Sequence, residues 1–185
     1  MAAPPTLGFY SQSIISPAMS LDGQRLDPSR YAVIPRTISF IVRQNEVLLL
    51  KLPSDRAGWS GQYNGIGGHV ERGEDPSTAA RREVFEETGL KLLTQQLCGI
   101  VTIDTGNTPG IGLFVFTGQL IEGDLEASPE GMPTWLPLDG LAEFDLVDDL
   151  DFLLPEALKA HYDGAVFFAT YAYDSKGELL ISLAE

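Results

Sequence analysis

Three glutamates stand close together in the stretch 68–90, GHVERGEDPSTAARREVFEETGL: Glu83, Glu86 and Glu87. On a helix these positions are i, i+3 and i+4. That puts three carboxylates within about a 100° arc on adjacent turns. Like charges at this spacing destabilise a helix by roughly 0.2–0.5 kcal/mol per pair. A solvated acidic face normally mixes in lysines, and this one has none. A hard divalent cation reverses the sign of the repulsion. Magnesium takes oxygen ligands and is commonly held by a few carboxylates together with substrate phosphates. The spacing therefore points to metal-assisted chemistry on phosphates.

The elements that must position these carboxylates can be read from the same stretch. Asp75-Pro76 is a helix start, an N-cap carboxylate followed by proline at the first helical position. Gly89 is a helix stop. The residues between are mostly good helix formers. Ala80 and Val84 form a narrow apolar strip that docks the helix on a sheet. Arg82, four residues before Glu86, either orients it or makes an ordinary ion pair worth a few tenths of a kcal/mol. Glu74 belongs at the N-terminal end of the helix. The run Gly65-Ile66-Gly67-Gly68 does not read as a dinucleotide fingerprint, because the expected helix and downstream acid do not follow it.

Gly68, Glu74, Arg82, Glu83, Val84, Glu86, Glu87, Gly89 and Leu90 fall at fixed offsets. In this the stretch resembles the Nudix box, the signature of the Nudix hydrolases, at every defining position. The resemblance implies a metal-dependent enzyme that hydrolyses a nucleoside diphosphate linked to another group. Mg2+ is the implied metal, with Mn2+ as the alternative. Glu83, Glu86 and Glu87 are implied to hold it with the backbone carbonyl of Gly68, and Arg82 to support them. Glu74 is implied to be an outer carboxylate. Glu130, five residues before Trp135, stands where the family often places a further ligand or base. Either Glu83 or Glu130 is implied to take the proton from the attacking water.

The flanks resemble the MutT-like oxidised purine nucleoside triphosphatases within that family. The resemblance rests on WSGQYNGIGG (59–68), where Asn64 lies four residues before Gly68 at the position that reads the purine. An amide donates and accepts at once, which suits the edge of an oxidised guanine. An Asn-Gly turn explains Asn64 equally well. Asp148-Asp149 resembles an acidic pair that contacts the base, although Leu146 stands where those enzymes have tryptophan. Asp149 is alternatively a helix cap. Lys51, at a strand end, is either a phosphate contact or an exposed lysine. The implied substrate is a nucleoside triphosphate such as 8-oxo-dGTP, cleaved to the monophosphate and pyrophosphate. Ordinary dNTPs, ADP-ribose, nucleotide sugars and dinucleoside polyphosphates are the alternatives. A non-catalytic Nudix-fold binding module would be marked by lost box glutamates, and none is lost.

The whole chain bounds these readings. Its 185 residues suit a single domain, 1–185, that buries roughly 70% of its unfolded surface. A net charge of −14 argues against binding a nucleic-acid polymer, whose phosphates need a basic surface. A nucleotide remains compatible, since metal ions neutralise its phosphates locally. The single cysteine, Cys98, excludes an intramolecular disulfide and a cysteine metal cluster. It reads as a buried, inert thiol. Residues 1–13 lack a signal-peptide pattern, and no apolar run reaches membrane-spanning length. The expected location is cytoplasmic. His69 and His161 carry no assigned chemistry, and no serine–histidine–acid arrangement is present.

Along the chain, residues 1–30 read as an irregular extension or an edge hairpin around Asp22-Gly23. Strands are expected over 36–42, 46–52, 97–103 and 110–120, with loops over 53–67 and 122–134. A second helix within 146–160 is expected to be interrupted or capped near Pro155. A C-terminal hairpin is expected over 165–183, with Phe167, Tyr171 and Tyr173 on one packed face rather than forming a base-stacking platform. Strands interleaved with two helices fit the fold that the resemblance implies. That fold is an αβα sandwich with a central mixed sheet, of α+β or α/β class. The terminal additions are the segments that a homodimer, common in the family, would use.

Overall fold

Alternating apolar residues carry the first strand, β1 (Val33–Arg43), whose Ile38, Phe40 and Ile41 are buried. A turn at Gln44-Asn45 returns the chain antiparallel as β2 (Glu46–Lys51), with Val47 to Leu50 in the core. The computed structural model describes residues 27, 29–55 and 58–184. The hairpin expected around Asp22-Gly23 lies outside them. Tyr31–Glu185 is one unit, and Met1–Arg30 is another.

The remaining elements are β3 (Tyr63–Asn64), α1 (Pro76–Thr88), β4 (Lys91–Ile103), β5 (Gly110–Glu122), β6 (Met132–Pro137), α2 (Leu150–Asp163), β7 (Phe167–Tyr173) and β8 (Leu179–Leu183). The strands form one sheet in the order β3-β2-β1-β5-β4-β7-β8, with β6 paired to β2. The β1–β5 and β4–β7 pairs are parallel and the others antiparallel. The sheet is therefore mixed. With α1 packed on β1 and β4, and α2 on β4, β5 and β7, it makes an αβα sandwich. Among the described residues no helix is long and apolar enough to cross a membrane.

Three expectations need correction. The loop over 53–67 contains β3, which pairs with Leu50 and Lys51. Its two residues are too short to show any alternation. The loop over 122–134 ends where β6 begins, and Met132–Pro137 pairs along the whole of β2. Its prolines lie at positions 133 and 137, so the sequence pattern looks like coil. Pro155 neither breaks nor caps α2 but sits inside it. The carbonyl that loses its partner belongs to Asp151, and both residues are exposed, so water can satisfy it.

Candidate active site

The segment after β3 lies along β1. The Thr37 N–H donates to the Gly68 carbonyl at 2.8 Å, and the Ser39 N–H to the Ile66 carbonyl at 2.7 Å. This pairing requires glycine. A Cβ on Gly67 would run into the Thr37 carbonyl, and one on Gly68 would lie 2.6 Å from Glu83 Oε1. Gly68 thus leaves open the space that the Glu83 carboxylate occupies.

Helix α1 supplies the acidic face. Asp75 caps it by accepting from the Ser77 and Thr78 N–H groups at 2.8 and 3.0 Å. Gly89 ends it at φ 74°, in the left-handed region. Ala79, Ala80 and Val84 are fully buried beneath it, as expected for the docking strip. On the side that meets the Gly68 segment, Arg82 joins the acids. Its guanidinium donates to both Glu74 oxygens at 3.0 Å, to Glu83 Oε1 at 2.8 Å and to Glu86 Oε2 at 3.0 Å. It also donates to the His69 carbonyl at 3.0 Å. Arg82 is therefore more than an i,i+4 partner of Glu86. Its planar fork matches the Glu74 carboxylate bidentately.

These contacts shift the acids in opposite directions. Hydrogen bonding from Arg82 holds Glu74 below the usual carboxylate range. Burial pushes Glu83 up; Arg82 opposes that, while the charges of Glu86 and Glu130 add to it. Hydrogen bonding to Glu74, and then to Glu83 and Glu86, in turn raises the Arg82 pKa.

Glu83, Glu86, Glu130 and Gly68 line a cavity of about 970 Å3, at the large end of the range for small-molecule sites. Asn64, Asp148 and Asp149 line it as well, so it gathers most residues singled out from the sequence. Asn64 does two things at once: its side-chain carbonyl accepts the Gly65 N–H at 2.8 Å, and the residue faces the cavity. Asp149 occupies the N-cap position of α2, yet its side chain makes no capping bond. Burial pushes its carboxyl up to about 6, and the charge of Asp148 adds to the shift.

Lys51 is not among the cavity-lining residues. It belongs to a separate shallow depression with Pro53, Ser128 and Met132, its ammonium 5.4 Å from the Tyr63 ring. The end of β2 is flanked there by Met132 of β6 and Tyr63 of β3, and neither neighbour was visible in the sequence. Glu87 is 4% exposed and sits behind the lining, where it accepts the Gly67 N–H at 3.2 Å. The Gly68 carbonyl is engaged by Thr37. His161 lies at the end of α2 against the Thr117 hydroxyl, and Cys98 is buried with its thiol pKa raised.

Sequence reasoning missed the rest of the cavity. Ile103, Ile111, Leu113 and Val147 supply apolar walls, Arg36 and His69 line one edge, and Tyr171, Tyr173 and Leu179 come from the C-terminal hairpin. Arg36 Nε donates to His69 Nε2 at 3.1 Å. No sequence signal separates an apolar cavity wall from core. Alternation does place Tyr171 and Tyr173 on one side of β7.

The donor chemistry fits a hard cation. Glu83, Glu86 and Glu130 offer only oxygens, and Nε2 of His69 on the same lining already accepts from Arg36. The absence of a Cβ at Gly68 leaves room beside Glu83. Among the described residues no three ligating side chains yet converge on one point; Arg82 is seated between the acids instead.

The NUDIX domain family matches residues 33–156, a range that begins with β1 and ends within α2. The chain belongs to the Nudix family. It is similar to the oxidized purine nucleoside triphosphate hydrolase of Mus musculus, with 30% identity over 120 residues, 64% of this chain and 76% of that protein. The Danio rerio protein of the same name is 34% identical over 104 residues, 56% of this chain and 65% of that one. Among solved structures, the mutator MutT protein of Bacillus halodurans superposes with a TM-score of 0.66 at 29% identity, over 82% of this chain and 97% of that one. This Nudix protein is thus a MutT-like hydrolase acting on phosphoric anhydride bonds. Nudix hydrolases generally use divalent metal ions, in keeping with the all-oxygen donor set.

Proposed function

We propose that this Nudix hydrolase cleaves a purine nucleoside triphosphate, with an oxidised purine such as 8-oxo-dGTP preferred, to the monophosphate and pyrophosphate. The observation that carries the reading is the shared cavity: Glu83 and Glu86 at one end, Asn64, Asp148 and Asp149 lining the same space. Two relatives named for oxidised purine nucleoside triphosphates support the substrate class. We assign Glu83 and Glu86 on the cavity lining, backed by Glu87, to hold Mg2+, which when bound would supply charge neutralisation for phosphate oxygens and an acidified water.

Around that centre the chain's own groups divide the work. Arg82 fixes the rotamers of Glu83 and Glu86. Glu87 holds the Gly67 backbone against α1. Glu83 and Glu130 both line the cavity, and either is placed to take the proton from the attacking water; burial raises the Glu83 carboxyl above its ordinary range. Asn64 offers an amide to the purine edge. Asp149, whose carboxyl burial pushes up to about 6, offers a donor when protonated and an acceptor when not. Arg36 lies on the cavity lining, and we assign it rather than Lys51 as the cationic contact for phosphates.

The test is magnesium-dependent hydrolysis across 8-oxo-dGTP, the normal dNTPs, ADP-ribose, nucleotide sugars and dinucleoside polyphosphates, with products resolved by chromatography. A tenfold or greater preference in kcat/KM for 8-oxo-dGTP, with pyrophosphate released and activity abolished by EDTA, is the expected result. Preference for ADP-ribose or a sugar nucleotide would leave the Nudix chemistry standing and overturn the substrate.

A further inference from the structure

Two buried hydroxyls on residues lining the cavity have no hydrogen-bond partner, those of Tyr171 and Thr37. Native proteins seldom leave such groups unpaired. Thr37 lies at the Gly68 end, where its own N–H is already used. Tyr171 lies at the other, in β7, and is 2% exposed. Its ring is fixed from several sides. It packs edge-on against Phe152 at 6.2 Å, and its backbone is paired with Ile103 of β4 and Ile181 of β8. A ring held in this way has little freedom to seek a partner elsewhere. Phenylalanine would fill the same space without burying an unpaired hydroxyl.

Tyr171 shares the cavity lining with the apolar residues Ile103, Ile111, Leu113 and Val147, as suits a flat ring. Asp149 lies near enough for its charge to act on the Tyr171 phenol, and spends no bond on capping its helix. A planar ligand with a polar edge would satisfy both groups. We propose that Tyr171 determines specificity, donating its hydroxyl proton to an acceptor atom on the edge of the nucleobase, beside Asp149. Burial and the charge of Asp149 keep the phenol protonated, so it acts as donor. The proposal rests on the purine nucleotide reading above.

Tyr171→Phe removes the oxygen and keeps the ring. On the nucleotide that the wild type prefers, kcat/KM should fall about tenfold, mostly through KM, since one neutral hydrogen bond is worth about that factor. The melting temperature should hold or rise. Deaza-purine analogues, each replacing one ring nitrogen by C–H, and the purine lacking the 8-oxo group then locate the acceptor. One of them should cost the wild type about tenfold and the variant almost nothing. Wild-type discrimination retained in Tyr171→Phe overturns the proposal and leaves the purine reading intact. A uniform loss on every nucleotide together with a lower melting temperature also overturns it, since that is a packing role. A wild type that prefers a pyrimidine or a base-free substrate sinks both.

Discussion

At the α1 end of the cavity, Glu74, Glu83 and Glu86 all accept from Arg82, and Glu87 accepts from the Gly67 backbone. At the β7 end, the Tyr171 hydroxyl bonds to nothing, and Asp149 sits uncapped with a raised pKa. The acids were placed by one guanidinium before any ligand arrives. The other end carries a buried hydroxyl that has no partner within the protein. Preorganised charge is what a reaction on phosphates needs, because nothing then has to reorganise as charge develops. Unmet groups are what discrimination needs, because a ligand lacking the matching atom leaves them unpaired.

Substitutions at the two ends should therefore fail differently. The largest effect is expected from Glu86→Gln, which should lower kcat at least about a hundredfold by removing a charge from the acidic face. Its side chain is 57% exposed, so the melting temperature should stay within about 2 °C. Steady-state turnover beside a thermal melt checks both. Near-normal turnover would remove Glu86 from the chemistry. Arg82→Lys should come next. A lysine cannot span Glu74, Glu83 and Glu86 together, and a loss of about thirtyfold in kcat with about 2 kcal/mol of stability is expected. A urea titration at fixed metal concentration measures the second quantity. If stability falls while turnover holds, the guanidinium is only a brace.

Asp149→Asn probes the other end through pH. The folded protein keeps a proton on Asp149 up to about 6, whereas the unfolded chain releases it near 3.8. The stability linked to this raised carboxyl is fully present below pH 3.8 and is lost as pH rises through 6. The asparagine should accordingly stabilise by about 1–3 kcal/mol at pH 7.5 and by nothing at pH 4. Denaturant midpoints at the two pH values decide it, and an equal effect at both would mean that the charge is not the cause. The smallest effect is expected from Lys51→Ala, within about twofold of wild-type kcat/KM, since the residue lies outside the cavity lining. A tenfold loss would move the phosphate site to β2.

The contrast between the two ends also explains what could be read from the sequence. The acidic end is local: Gly68, Glu74, Arg82, Glu83 and Glu86 lie within one stretch, and helical spacing alone puts the glutamates on one face. The cap at Asp75 and the stop at Gly89 were legible for the same reason. The other end is assembled from β1, β4, β5, β7 and the start of α2, so helical or strand spacing carries no trace of it, and Asn64, Asp148 and Asp149 stood out only by resemblance. Tyr171 was visible as one face of a hairpin, but its hydroxyl has meaning only beside Asp149 across the cavity. Strands β1, β2, β4 and β5 announced themselves by alternation. Strands β3 and β6 did not, because each is a strand only by pairing with β2. Lys51 was misplaced by the same gap, since those two neighbours surround it.

The C-terminal hairpin gives this arrangement an evolutionary consequence. Tyr171, Tyr173, Gly177 and Leu179 bring one wall of the cavity from the β7–β8 edge of the sheet, about eighty residues beyond the box. With Tyr171 reading the base as proposed, drift in that hairpin would retune which nucleobase is accepted while the hydrolytic apparatus stays untouched. The two traits can thus be inherited, varied and selected separately, and a library confined to residues 171–179 is a natural starting point for changing the substrate of this scaffold.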